Sequence, residues 1–263
     1  MIRNILLLCL VSVSVHAAEQ RIAGGQLTTI SEYPFATALL TNRVGGDYVQ
    51  ACGGTILSQT AILTAASCFY TGTVQNPASA WRARVGSSYR NSQGTIYIIN
   101  RFTIHQGFNP TSLVNDIAVA RTTWTIAFQA NLVQAARIAG AAYTVNNNQA
   151  VWAIGWGAIS NQVSASDQLR HVQVWTIAQQ TCTNRYAGTG TTINDNVICS
   201  GFLDVGLRGQ CTGDVGGPLL DTSGNVIGVF SRTTGCADDW YPDVNTRVSS
   251  YTNWIIAAAI ATA

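Results

Sequence analysis

The residues whose types and spacing bear on chemistry fall in three stretches. Cys211-Thr-Gly-Asp-Val-Gly-Gly-Pro-Leu219 strings glycines around an acid. Without a Cβ at 213, 216 and 217 the backbone can take conformations and close approaches that other residues exclude. Val215, in the middle of the run, carries an isopropyl group with no proton to lose and no lone pair to attack with. Ala61-Ile-Leu-Thr-Ala-Ala-Ser-Cys68 places Ser67 before a cysteine. A serine hydroxyl does not titrate near neutrality and cannot take up a proton as an imidazole does. Asn115-Asp-Ile-Ala-Val-Ala120 supplies an acid, Asp116, ahead of a short apolar run. Thr212 offers a hydroxyl, with no base in sight to activate it.

In order and in type these stretches resemble the chymotrypsin/trypsin-like serine proteases. The first matches that family's Cys-x-Gly-Asp-Ser-Gly-Gly-Pro nucleophile loop, the second its Leu-Thr-Ala-Ala-His-Cys signature and the third its Asn-Asp-Ile-Ala-Leu segment. The resemblance implies that Asp116 is the retained third member of a catalytic triad and that Ser67 and Val215 stand at the histidine and serine positions. It makes Gly213 and Asp214 part of the oxyanion loop. Arg21 followed by Ile22-Ala-Gly-Gly25 is similar to the family's activation site. There a cut after the basic residue frees an aliphatic N-terminus to pair with the acid before the nucleophile, here Asp214. A buried carboxylate needs such a partner.

The same resemblance implies the disulfides Cys52–Cys68, Cys182–Cys199 and Cys211–Cys236; on the six cysteines alone the pairing stays open. It places Gly209 at the base of the specificity pocket and Asp243 where most members carry glycine. Ser231-Arg232-Thr233 replaces Ser-Trp-Gly, the edge that adds a substrate strand through main-chain hydrogen bonds. Thr233 is expected to narrow the pocket mouth, and Arg232 to remove an apolar wall and bring a cation within reach of Asp243. His105 and His171 are read as structural residues. No Cys-x-x-Cys pair exists and both histidines lie far from any cysteine, so neither metal nor cofactor is expected.

Holding these residues in place requires strands. Tyr33–Leu40, Ala51–Leu57, Trp81–Gly86 and Thr95–Ile99 carry alternating or continuous apolar residues bounded by turn residues. That rhythm alone predicts an all-β sandwich or barrel. The resemblance, which covers Ile22 to about Trp254, implies two antiparallel Greek-key β-barrels packed face to face, with a short intermediate helix and a C-terminal helix. The organisation expected is a signal peptide over 1–17, an activation propeptide over 18–21 and one peptidase domain over 22–263. Its barrel lobes are expected over about 27–130 and 145–245 and its terminal helix over about 247–260. The signal reading rests on a short basic lead, an apolar run from Ile5 to Val15 too short to span a bilayer, and a small-residue exit.

With 263 residues, 47% of them hydrophobic and 10% charged, the chain has ample material for one large core or two small ones. A formal charge of +2 gives no reason to expect nucleic acid. Removing Cys9 with the signal leaves an even number of cysteines, suited to an oxidising compartment. All fourteen basic residues are arginine. Lysine loses its charge near pH ~10.4 and arginine does not, which points to an alkaline lumen; drift in base composition is the competing explanation.

With both proton-passing positions replaced, the expectation is a chain that is no enzyme. It would be a secreted, monomeric, catalytically inactive protease homologue in a digestive tract, binding peptides, protease inhibitors or other proteases. An activating trypsin-like protease would be a further partner, and no membrane is expected. The alternative is a digestive, chymotrypsin-like serine endopeptidase with residual or unconventional activity, and a third reading is a storage-like secreted protein.

Overall fold

The computed structural model describes residues 24–42, 45–158, 160 and 165–261; the expected signal segment and the Arg21–Ile22 junction lie outside the described residues. The fold is two antiparallel β-barrels with a helix at the C-terminus.

The first barrel is built from β2 (Ala36–Thr41), β3 (Val49–Ser58), β4 (Ala61–Thr64), β7 (Trp81–Val85), β8 (Thr95–Ile104) and β9 (Ala118–Thr122), closed in the order β2-β3-β4-β9-β8-β7. Two short strands, β5 (Tyr70–Thr71) and β6 (Val74–Gln75), form a separate hairpin. The second sheet holds β1 (Gln26–Leu27), β10 (Ala150–Gly155), β11 (Arg170–Ile177), β12 (Val197–Gly201), β13 (Pro218–Leu220), β14 (Val226–Arg232) and β15 (Asp243–Arg247). Pairing of β11 with β12 closes six of these strands into a ring and leaves β1 as a flap on β11. The first strand among the described residues therefore belongs to the second barrel, and the first barrel begins at Ala36.

Burial alternates where one face of a strand meets the core. In β11 the residues Arg170, Val172, Val174 and Thr176 point inward while His171, Gln173, Trp175 and Ile177 are part-exposed, the period of two expected when one face meets a core. One continuous apolar core joins the barrels. Trp81, fully buried, stands edge-on to Phe69 at 5.1 Å, and Phe69 stacks on Phe102 at 4.1 Å. Burying a side chain of this size contributes on the order of 1.5–3 kcal/mol.

Two helices complete the fold. α1 (Gln179–Arg185) is tied to β12 through Cys182–Cys199. α2 (Val248–Ile260) buries Val248, Tyr251, Thr252, Ile255 and Ala258, which share one face at helical spacing. None of the helices among the described residues is long and apolar enough to cross a membrane.

Candidate active site

The site lies where four chain segments meet. After β4 a single 3-10 turn, Ala66–Phe69, carries Ser67 out towards solvent, and the Cys52–Cys68 disulfide fastens it to β3. Asp116 enters just before β9 and is fully buried. The loop 211–217 is held by Cys211–Cys236 at its start. The end of β14 closes the ring, with a register shift between Phe230 and Arg232 that takes Ser231 out of the ladder; such bulges re-aim side chains beside functional sites. The three disulfides have the pairing that the family resemblance implies.

Asp116 receives three donors. The Ser67 backbone N–H reaches Oδ1 at 2.7 Å, the Ser67 hydroxyl reaches Oδ2 at 2.8 Å and the Ser231 hydroxyl reaches Oδ2 at 2.7 Å. Burial pushes the Asp116 carboxyl above its ordinary range, and these bonds, with the charge of Arg232, pull it part of the way back. The Ser67 hydroxyl is thus committed to Asp116. Ser67 and Val215 line one cavity of about 340 Å³, together with Thr212, Gly213, Ser231, Arg232 and Thr233. Neither described histidine belongs to it. His105 packs against Tyr251 and Trp254, and His171 accepts or donates a 2.7 Å bond with the Tyr33 hydroxyl.

The 211–217 loop has a tight, glycine-dependent shape. Gly213 and Gly216 have φ of +96° and +84°, and a Cβ on Gly216 would lie 2.1 Å from Thr64 Oγ1, so only glycine fits there. The Val215 carbonyl accepts from the Gly53 N–H at 2.7 Å, and the Gly213 carbonyl accepts from Gln50 Nε2 at 2.6 Å. Among the described residues the N–H groups of Gly213 and Val215 donate to no acceptor, which leaves both for a ligand. Gln50 has no motif around it and sits far from the loop in sequence; only the folded β3 brings it there.

Asp214 is buried and accepts from the Gly157 N–H at 2.7 Å and the Cys211 N–H at 3.0 Å. Burial lifts its carboxyl to about 6, and no cation pairs with it among the described residues. Glycine at 155 and 157 makes the space, since a Cβ at either would fall 2.0 to 2.3 Å from the carboxylate oxygens. The glycines of Ile-Gly-Trp-Gly157 therefore belong to this pocket, a role that strand periodicity does not announce.

The pocket beneath the loop differs from the expectation in one respect. Arg232 does not reach Asp243: its guanidinium donates to the carbonyls of Leu113 at 3.1 Å and Thr192 at 2.9 Å and to Ser231 Oγ at 3.4 Å. The loops that present those carbonyls are nearer than the pocket floor. Asp243 is instead buried against Gly209, where a Cβ would lie 2.7 Å from its Oδ2, and accepts the Gln210 N–H at 2.6 Å. Burial lifts its carboxyl to about 8. The Thr233 hydroxyl donates to the Gly235 carbonyl at 2.5 Å, lies within hydrogen-bonding reach of Asp243, and belongs to a residue that lines the cavity. Both polar atoms of the Gln210 side chain are buried and unpartnered. Among the described residues, no cluster of His, Cys, Asp and Glu side chains has the arrangement of a metal site.

The chain matches the family model described as Trypsin over residues 22–255. It is similar to trypsin, alkaline A of Manduca sexta, 52% identical over 242 residues that make up 92% of each chain. It is also similar to trypsin CFT-1 of Choristoneura fumiferana, 49% identical over 253 residues, 96% of each. A solved structure like it is the scabies mite inactivated protease paralogue S-D1, with a TM-score of 0.78, 25% identity, and 89% of this chain and 95% of that one covered. The relatives overturn the expectation of a chain that is no enzyme, because proteins sharing half its residues over nearly the whole length are named as trypsins.

Proposed function

The chain belongs to the trypsin family of serine proteases, and from that premise we propose a secreted serine-type endopeptidase of residual activity. Its groove takes an extended peptide and its loop polarises a carbonyl, without a side chain that can be acylated. The observation that supports the reading is the loop itself: among the described residues the N–H groups of Gly213 and Val215 have no acceptor and both residues line the cavity, while position 215 holds valine.

A peptide adds to the 231–233 edge by main-chain hydrogen bonds. The two free amides then face the charge that develops on its carbonyl oxygen as a water adds to carbon. No base prepares that water, since the Ser67 hydroxyl is already given to Asp116. Hydrolases of the Ser-His-Asp type that have lost a triad member keep only about 10³- to 10⁴-fold over water from these two sources. That is the scale of activity proposed.

Beneath the loop, the Asp243 carboxylate and the unpartnered Gln210 amide are groups suited to a guanidinium or amidinium, reached when the Thr233 side chain swings aside. A cut after Arg21 would deliver the Ile22 amine to Asp214, whose buried carboxylate otherwise has only backbone donors among the described residues. An alkaline lumen suits a chain whose cations are all arginine, and it fits the word alkaline in a relative's name.

The test is a long incubation with a peptide carrying one arginine, followed by mass spectrometry, beside a fluorophosphonate label. Slow, linear cleavage with no adduct is expected. Cleavage no faster than in buffer, or an adduct on the protein, would contradict the proposal.

A further inference from the structure

Arg232 is the cation of the groove, and its hydrogen bonding is incomplete. It lines the same cavity as Ser67, Val215 and Thr233. Its two terminal nitrogens are held by the carbonyls of Leu113 and Thr192, which belong to two separate loops, so the guanidinium is fixed between them rather than free to swing into water. Leu113 itself has a φ of +53°, in the left-handed region that a leucine seldom adopts. The Arg232 anchor therefore spans a strained loop.

Three of the five N–H donors are used, two on Nη1 and one on Nη2, and the Nε–H is buried and has no partner. No carboxylate forms an ion pair with this guanidinium among the described residues. Asp116 attracts it, but the oxygens of Asp116 are already taken by Ser67 and Ser231. A half-buried guanidinium that lines the groove, held between two loops beside the 231–233 edge and paired with no carboxylate among the described residues, attracts a carboxylate brought into that groove.

We propose that Arg232 makes the groove selective for peptides that carry an acidic side chain opposite the 231–233 edge. The inference rests on the peptide-groove reading above and adds to it a residue that determines specificity. It commits to a side-chain carboxylate; a peptide C-terminus is excluded by the design of the test.

The probe is a set of fluorescein-labelled octapeptides of alanine, serine and glycine, N-acetylated and C-amidated, in which glutamate or glutamine is walked through every position. Binding is read by fluorescence anisotropy on the full-length protein at low and at high salt. Glutamate at one position should bind about tenfold more tightly than glutamine there, and the gap should shrink in 1 M NaCl, where the Debye length is about 3 Å. The gap should vanish in Arg232→Gln and persist in reduced form in Arg232→Lys. Equal affinity of the glutamate and glutamine peptides at every position would overturn the proposal while leaving the groove as a peptide site. Failure of any peptide to bind with saturation would overturn both. The wild-type comparison decides the matter even where a variant does not fold.

Discussion

The hydroxyl of Ser67 lies 2.8 Å from Asp116 Oδ2, and the backbone N–H of the same serine lies 2.7 Å from Oδ1. One small residue thereby satisfies both oxygens of a fully buried acid whose family role is to orient an imidazole. With Ser231 as a third donor, these bonds tie the acid into the junction of the barrels.

Removing the donors should therefore cost stability. Ser67→Ala and Ser231→Ala are each expected to lose about 1–3 kcal/mol, the usual penalty for leaving a buried acceptor short of a partner. Each also removes a bond that favours the ionised acid, so Asp116 moves further up. For a carboxyl already raised in the folded state, stability is greatest below the unfolded value and declines as pH rises. The deficit of both variants should accordingly grow from acid to neutral pH. Urea denaturation at several pH values measures this, and a deficit independent of pH would contradict it.

Asp243 gives a cleaner titration. Its folded value is near 8 against an ordinary 3.8, so between those limits the folded chain holds a proton that the unfolded chain has released. Stability contributed by this residue is thus present at low pH and is lost progressively up to about pH 8, with a slope of up to about one proton. Asp214 contributes the same sign, but only up to about 6. The lowered histidines His105 and His171 act in the opposite sense at or below their ordinary 6.5. Between pH 7 and 8 the slope of wild type should therefore exceed that of Asp243→Asn, as read from melts across the window. Equal slopes would show that Asp243 is ionised throughout.

How much of this could be read beforehand depends on how local each cause is. The alternation of β11 and the glycines of the 211–217 loop are local, and the sequence carries them openly. The assignment of Gln26–Leu27 to the second barrel is not, since its partners are His171 and Arg170, far along the chain. Arg232 was expected near Asp243 because both stand in the pocket segment. Its actual acceptors are two carbonyls, and a carbonyl has no residue type to betray it. Gln50, Gly155 and Gly157 act through the backbone or through space left empty, for which composition has no signal.

Gln50 is a positioning residue for the oxyanion loop through its 2.6 Å bond to the Gly213 carbonyl. In a Ser67→His/Val215→Ser background, Gln50→Ala should lower kcat about tenfold with KM little changed, a loss of about 1.4 kcal/mol at the transition state. A change confined to KM would place Gln50 in peptide binding instead.

Thr233 lines the groove and its hydroxyl lies within hydrogen-bonding reach of Asp243. Thr233→Gly should strengthen benzamidine binding about tenfold, measured calorimetrically, and more at pH 9 than at pH 6, because only the ionised Asp243 attracts the amidinium. Unchanged binding at both pH values would mean that the floor is closed by something other than this side chain.

The measurement that bears most directly on the central claim is pre-steady-state hydrolysis of a chromogenic arginine ester by wild type and by Ser67→His/Val215→Ser, each after cleavage at Arg21. If the proton-passing pair alone limits a framework still shaped for acyl transfer, wild type gives a slow, burst-free line, and the double variant gives an acylation burst and a fluorophosphonate adduct at position 215. A burst or an adduct from wild type, or silence from a folded double variant, would contradict the account.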